Sequence, residues 1–303
     1  MPERTLPSKE EVLSYIRDRN NWGRWGKDDQ RGAMNLITPA KRAAAAGLVR
    51  SGRSVSLSRP WPKNPAPNNP TPAQHWMRWF DRPGAGGGVV DYYGITYHGY
   101  STTHIDALCH VWDENGIWNG RDPKEVITSL GARWGDIDQW SDGIVTRGVL
   151  LDVPKFRGEP YVTVEKPVHG WELADIAAKQ GVTLQPGDAL LVYSGREAWH
   201  AANPDWAGAA GPGLHASCLP FIRDNDISLL GWDLMDANPN EYGIPWTVHA
   251  AIFAYGVGLL DNSLLEPLAA VCEEEGRCEF MLTVAPLRVI GGTGSPANPI
   301  ALF

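Results

Sequence analysis

Residues 97–112 read YHGYSTTHIDALCHVW and hold three of the chain's eight histidines. His98, His104 and His110 fall within thirteen residues, with Asp106 and Cys109 between them. If the segment around Ile105 is a strand, His104 and Asp106 point the same way, roughly 7 Å apart at the backbone, so both side chains can reach one ion. His110 lies just past such a strand, where the chain can turn back over that ion. A lone histidine is more often a satisfied core residue; THxDxxxH with further donors nearby reads as a metal site.

Outward from this cluster the chain alternates strand and helix patterns. GIVTRGVLLDV, DALLVYSG and ISLLGWDLM are short, branched apolar runs of the kind buried strands use. GWELADIAAKQG and LHASCLPFIRDN lie between them with helical spacing, and VHAAIFAYGVGLLDN starts as a helix that leaves through Gly256 and Gly258 into a strand. That order predicts a mixed α/β domain with a sizeable sheet. Towards the N-terminus, Ser8 and Glu11 have capping-box spacing, and Thr38, Pro39 and Gly52 mark a second helix from cap to exit. Between these two helices, NNWGRWGKDDQRGAMNL reads as an ordered loop packed by its rings. RPWPKNPAPNNPTPAQ reads as an extended surface excursion and GAGGGVVDYY as a flexible turn. The glycine run lacks the Lys-Ser/Thr of a phosphate loop.

Composition limits the function. The chain has 303 residues, 43% hydrophobic and 20% charged, enough for a large core. A net charge of -8 without a basic stripe disfavours nucleic acid and anionic membranes and points to a small-molecule partner. The charged N-terminus is unlike a signal peptide, and no apolar run reaches about eighteen residues, so a cytoplasmic protein is expected. Cys109, Cys218, Cys272 and Cys278 form no CxxC pair and read as reduced thiols, with Cys272 and Cys278 a weak candidate pair.

With these residues in view, the chain resembles the metal-dependent cyclase-like hydrolases that include bacterial kynurenine formamidase and isatin hydrolase. Their HxGTHxDxPxH hallmark is matched by THIDALCH at Thr103, His104, Asp106 and His110. RWGKDDQRGAMNLITP, GDALLVYSGR, PGLHASCLPF and APLRVIGGTGSPANPIALF extend the likeness over nearly the whole chain. The resemblance implies a swivelling β/β/α fold with a mixed central sheet, in homodimers, around a zinc or manganese site with one or two ions. It implies one such domain over residues 1–303, with a helical and loop extension over about residues 1–50. Two further ligands map to His249 and, twelve residues on, Asp261, where the family has Glu. His110 takes the family's catalytic position as general base for hydrolysis of an amide, lactam or lactone of a small cyclic or aromatic compound. A non-catalytic metal- or metabolite-binding member is the alternative.

The first histidine of the hallmark is displaced. Four residues before His104 stands Tyr100, with Thr102 at the family's glycine. Either His98 supplies the missing imidazole through a bend at Gly99, or Tyr100 faces the pocket as a substrate hydrogen-bond donor and His98 stays outside. Thr103 either positions His104, bonds substrate or packs. Cys109 is a rival nucleophile beside the histidines, although buried thiols are commonly inert. His75, His169 and His200 read as structural or surface residues, and His215 as one closer to the site. Trp22, Trp25 or Trp112 are candidates for an aromatic pocket.

Overall fold

A computed structural model describes residues 4–208 and 210–303. Its centre is a nine-stranded sheet. Four parallel strands, Ile144–Asp152, Ala189–Tyr193, Leu229–Trp232 and Gly258–Asp261, form the middle. The last three are buried along their whole length, which is why they read as unbroken apolar runs rather than alternating ones. Each crossover carries a helix: Gly170–Gln180, Cys218–Asp224 and Ala251–Tyr255 follow the first three strands in turn. Antiparallel strands extend both sides. Glu279–Val284, Ile300–Leu302 and Ser54–Ser56 continue from Ile144–Asp152, and His104–Asp106 and Gly294–Pro296 continue from Gly258–Asp261. The architecture is the mixed α/β one expected.

The capping box at Ser8 is formed and opens the helix Lys9–Arg17. Thr38 caps Pro39–Ala46, but that helix stops at Gly47 rather than at Gly52. The loop between the two is ordered by its rings: Trp22 donates to the Phe253 carbonyl at 2.6 Å, and Trp25 packs on Trp118 at 6.0 Å. Gly32 passes so close to Gly256 that a Cβ on it would stand 2.3 Å from the Gly256 oxygen. This crossing ties the loop to the end of the helix that follows His249.

One expectation is overturned. The GAGGGVVDYY stretch is no flexible turn: Gly86–Gly94 pairs along its length with Gln74–Arg82 in a long antiparallel hairpin. Valines and tyrosines after the glycines supply the β-forming side chains, and the reversal is confined to the residues between Arg82 and Gly86.

Candidate metal centre and active site

The site grows from the strand His104–Asp106. Its register sets Asp261 opposite His104 on one side and Gly294 opposite Asp106 on the other. Directly opposed residues of an antiparallel pair share a face, so His104, Asp106 and Asp261 converge. Glycine at 294 leaves space for a ring, since a Cβ there would stand 3.0 Å from His98 Cε1. His98 reaches the strand because Gly99 takes φ +137°, a conformation that favours glycine. His110 follows in the turn after Asp106, and His249 sits in the short helical turn Val248–Ala250 at the end of a connecting loop.

Asp106 is the hub. His98 Nδ1 stands 2.9 Å and His104 Nε2 3.4 Å from its Oδ1, and His110 Nε2 stands 3.8 Å from its Oδ2. Asp261 Oδ2 lies 3.9 Å from His104 Nε2 and 3.3 Å from His249 Nε2. Yet both Asp106 oxygens and His98 Nδ1 are buried without an aligned hydrogen-bond partner. Polar atoms that meet without bonding one another are converging on a common point.

The outer bonds fix which lone pairs face inward. His104 Nδ1 lies 2.8 Å from the Thr102 carbonyl, which can only accept, so Nδ1 carries a proton and Nε2 is the nitrogen that faces the carboxylates. His249 Nδ1 donates to Asp236 in the same way. His98 Nε2 is held by the Thr293 hydroxyl at 3.1 Å, which leaves Nδ1 for Asp106. The Trp232 indole donates to the other Asp261 oxygen at 2.5 Å.

Titration follows this field. Burial opposes a charge on His104, but Asp106, Asp261 and the Thr102 carbonyl outweigh it and raise the imidazole to about 9. Burial likewise opposes charge on Asp106, yet His104, His110 and His98 hold its carboxyl well below the usual range. A field that draws a proton onto these groups draws a cation equally well. The donor atoms of His98, Asp106 and His110 lie within 4.8 Å of one another, as do those of His104, Asp106 and Asp261, so these residues fit one cation or two that share Asp106.

Beside this cluster opens a cavity of about 450 Å³ whose walls include His104, His110, His249 and Asp261. The tryptophans that line it are Trp206 and Trp246. Trp22 and Trp25 are committed to the core, and Trp112 is largely exposed elsewhere. Tyr100 lines the cavity with its ring against Trp206, 5.9 Å between centroids. Thr103 is different: its buried hydroxyl donates to the Asn262 carbonyl at 2.8 Å and accepts from the Arg59 amide at 3.0 Å, so it pins two loops instead of meeting substrate. Burial pushes the Cys109 thiol up to about 12, which removes it as a nucleophile at neutral pH. His75 bonds Asp91, His169 bonds Ser217, His215 bonds Glu241, and His200 packs edge-on against Trp206.

Besides Trp206 and Trp246, two residues escaped the reading of the sequence. Asp236 orients His249, and the fully buried Arg196 ties Tyr100, Asp233 and Asn262 together through its guanidinium. Both follow the carboxyl ends of parallel strands, where α/β sheets place ligand sites, and that position was the available signal.

Comparison with known proteins agrees with this architecture. Residues 40–239 match the family model described as "Putative cyclase". The crystal structure of a novel cyclase is 31% identical, with a TM-score of 0.83 over 94% of this chain and 99% of that one. Isatin hydrolase A from Labrenzia aggregata, bound to benzyl benzoate, shares the fold at 18% identity, with a TM-score of 0.57 over 85% of this chain and 94% of that one. Kynurenine formamidase from Bacillus cereus is 28% identical over 89 residues, which are 29% of this chain and 39% of that curated relative's length. With two thirds of its length matched by the family model and a solved relative aligned nearly end to end, the chain belongs to the cyclase family.

Proposed function

We propose that this protein is a metal-dependent hydrolase that opens an amide, lactam or lactone bond of a small cyclic or aromatic carbonyl compound. The observation that carries the reading is Asp106, a fully buried carboxylate with no hydrogen bond, approached by three imidazoles beside an open cavity. The kynurenine formamidase and isatin hydrolase relatives support the same class.

In this reading His98, His104, Asp106, His249 and Asp261 hold zinc or manganese. A divalent cation bound there would lower the pKa of a coordinated water from 15.7 towards about 7 and polarise a carbonyl. His110 reaches the cavity with a neutral ring, because burial pushes its pKa down to about 4 against the pull of Asp106. Its lone pair takes a proton from the attacking water and passes it to the leaving nitrogen or oxygen. Tyr100, Trp206 and Trp246 supply flat apolar walls for a ring, with the Tyr100 hydroxyl as a polar handle.

Chelation tests the reading. Hydrolysis of an aryl formamide, lactone or lactam should vanish with the metal and return on adding zinc or manganese. Metal uptake without turnover of any of the three classes would leave the protein a binding member of its family.

Asp236 gives a finer test. Its Oδ1 accepts from the Thr247 hydroxyl and the Val248 amide, both at 2.5 Å, while its Oδ2 faces His249 Nδ1. An amide keeps one oxygen for the turn but offers N–H to Nδ1, which favours the tautomer that points Nε2–H at Asp261. Asp236→Asn should therefore weaken metal binding by about 10- to 100-fold. Competition titration against a chromogenic chelator measures this, and unchanged affinity would reduce Asp236 to a loop anchor.

A further inference from the structure

Among the described residues, Arg196 is the one lysine or arginine on the wall of the cavity, and it is only 2% exposed. Its guanidinium is held by neutral acceptors alone. Nη1 donates to the Asp233 carbonyl at 3.0 Å and to the Asn262 side-chain oxygen, and Nη2 donates to the Tyr100 carbonyl. The carboxylates nearby are committed elsewhere. Glu197 pairs with Arg59 at 2.6 Å, and the Asp233 carboxylate receives the backbone amides of Ser194, Gly195, Arg196 and Leu234. Among the described residues no carboxylate forms an ion pair with Arg196. Burial and the neighbouring Arg59 lower its pKa to about 9, which still leaves it charged at neutral pH. A buried cation bonded only to dipoles lacks the counter-charge that buried ions ordinarily find.

The unused donors indicate what would supply it. A guanidinium carries five N–H groups, and the three bonds above leave one on Nε and one on Nη2. Nε is buried without a hydrogen-bond partner. These two nitrogens share one edge of the planar fork, and such an edge takes both oxygens of a carboxylate at once. The fork is also tied to the metal cluster through two loops: Asn262 directly follows Asp261, and Tyr100 lies between His98 and His104. Trp206, whose ring meets Tyr100, lies 5.5 Å from the guanidinium carbon.

We propose that Arg196 is an anion clamp for the substrate: the compound whose carbonyl meets the metal centre carries a carboxylate that pairs with the Nε–Nη2 edge of Arg196. Nε has no contact with solvent, so the Trp206 ring swings off the guanidinium to admit the anion and then packs on the substrate's own ring. On a chain of net charge -8, a fixed cation is what draws an anion to a wall that carries Asp233, Asp236 and Asp261. The substrate class narrows accordingly, from ring compounds with a hydrolysable carbonyl to those that also bear an acid group. This inference rests on the hydrolase reading for the bond that breaks and on Arg196 alone for the carboxylate.

Steady-state kinetics of the metal-loaded protein on formanilide and on the ortho, meta and para formamidobenzoates decide it. The wild type should favour at least one formamidobenzoate over formanilide by about 10- to 100-fold in kcat/KM, the strength of a hydrogen-bonded charge. Arg196→Gln should abolish that preference, and Arg196→Lys, which keeps the charge without the fork, should retain part of it. Loosened Tyr100 and Asn262 loops would slow all four substrates alike and so cancel in the ratio. A ratio unchanged in Arg196→Gln overturns the clamp, as does a wild type that prefers formanilide. Where Arg196→Gln does not fold, Arg196→Lys carries the test, and a preference no smaller than that of the wild type overturns the clamp. If none of the four is hydrolysed, the hydrolase reading has failed for aryl formamides, and calorimetric titration with benzoate and benzamide tests the clamp by itself. The wild type should then bind benzoate more tightly than benzamide, and Arg196→Gln should lose the difference. Benzoate held equally by both proteins sits on the metal, and that result overturns the clamp.

Discussion

Asp106→Asn is expected to give a folded chain that neither retains a cation through purification nor turns over substrate. The change is nearly isosteric, so packing in the fully buried pocket survives. What changes is charge and the direction of donation. Both Asp106 oxygens now lie buried with no hydrogen bond while nitrogens approach to 2.9, 3.4 and 3.8 Å. An amide removes the negative charge that offsets a cation and directs two N–H groups into the space where the lone pairs converge. Loss of a supporting carboxylate costs about 10- to 100-fold in metal affinity, and loss of the shared ligand itself should exceed a hundredfold. Stability gives a second readout. A bound ion stabilises by mass action, so the wild-type Tm should fall on chelation, whereas the Tm of the variant should be indifferent to it. Full metal content in Asp106→Asn, with the Tm difference intact, would make Asp106 a structural residue.

The parts of this site written in local sequence were legible and the parts written in tertiary contact were not. His104 and Asp106 share a face because a strand repeats every two residues, and Ile105 between them is buried as the pattern requires. His249 and Asp261 are twelve apart because a helical turn, a glycine exit and a four-residue strand intervene, and each of those carries its own signal. His98 was ambiguous for a physical reason. In an extended chain it would lie roughly 20 Å from His104, and only the backbone turn at Gly99 brings the two rings to 5.1 Å between centroids. The bend makes sense of the glycine but could not be proved from it. Asp236, Trp206 and Trp246 come from loops, and Arg196 from the first turn of the short helix Arg196–Ala202, whose places depend on the sheet already being built, so no period announces them. The hairpin failed differently. Gly86, Gly87 and Gly88 weigh towards a flexible turn, and the strand forms because Gln74–Arg82 opposite supplies the side chains that they lack.

His110→Ala is expected to separate chemistry from metal binding. The ring stacks face to face on His98, 3.8 Å between centroids and 7° from parallel, and its Nε2 points towards Asp106 from the cavity side. Burial first, and then the neighbouring His98 and His249, push its pKa down to about 4 against Asp106 and Asp261, so at neutral pH the imidazole is uncharged with a lone pair to receive a proton. A general base of this kind contributes about 10²- to 10⁴-fold. The variant should lose at least a hundredfold in kcat with KM little changed, because an interaction made only in the transition state has been removed. Its metal content should equal that of the wild type, since His98, His104, Asp106, His249 and Asp261 all remain. The same measurement tests the rival role. His110 donates from within 4.8 Å of the His98 and Asp106 donor atoms, close enough to be a ligand in its own right. If metal content falls in step with rate, His110 is a ligand and the base lies elsewhere; if the rate holds while the metal stays bound, His110 takes no part in the chemistry.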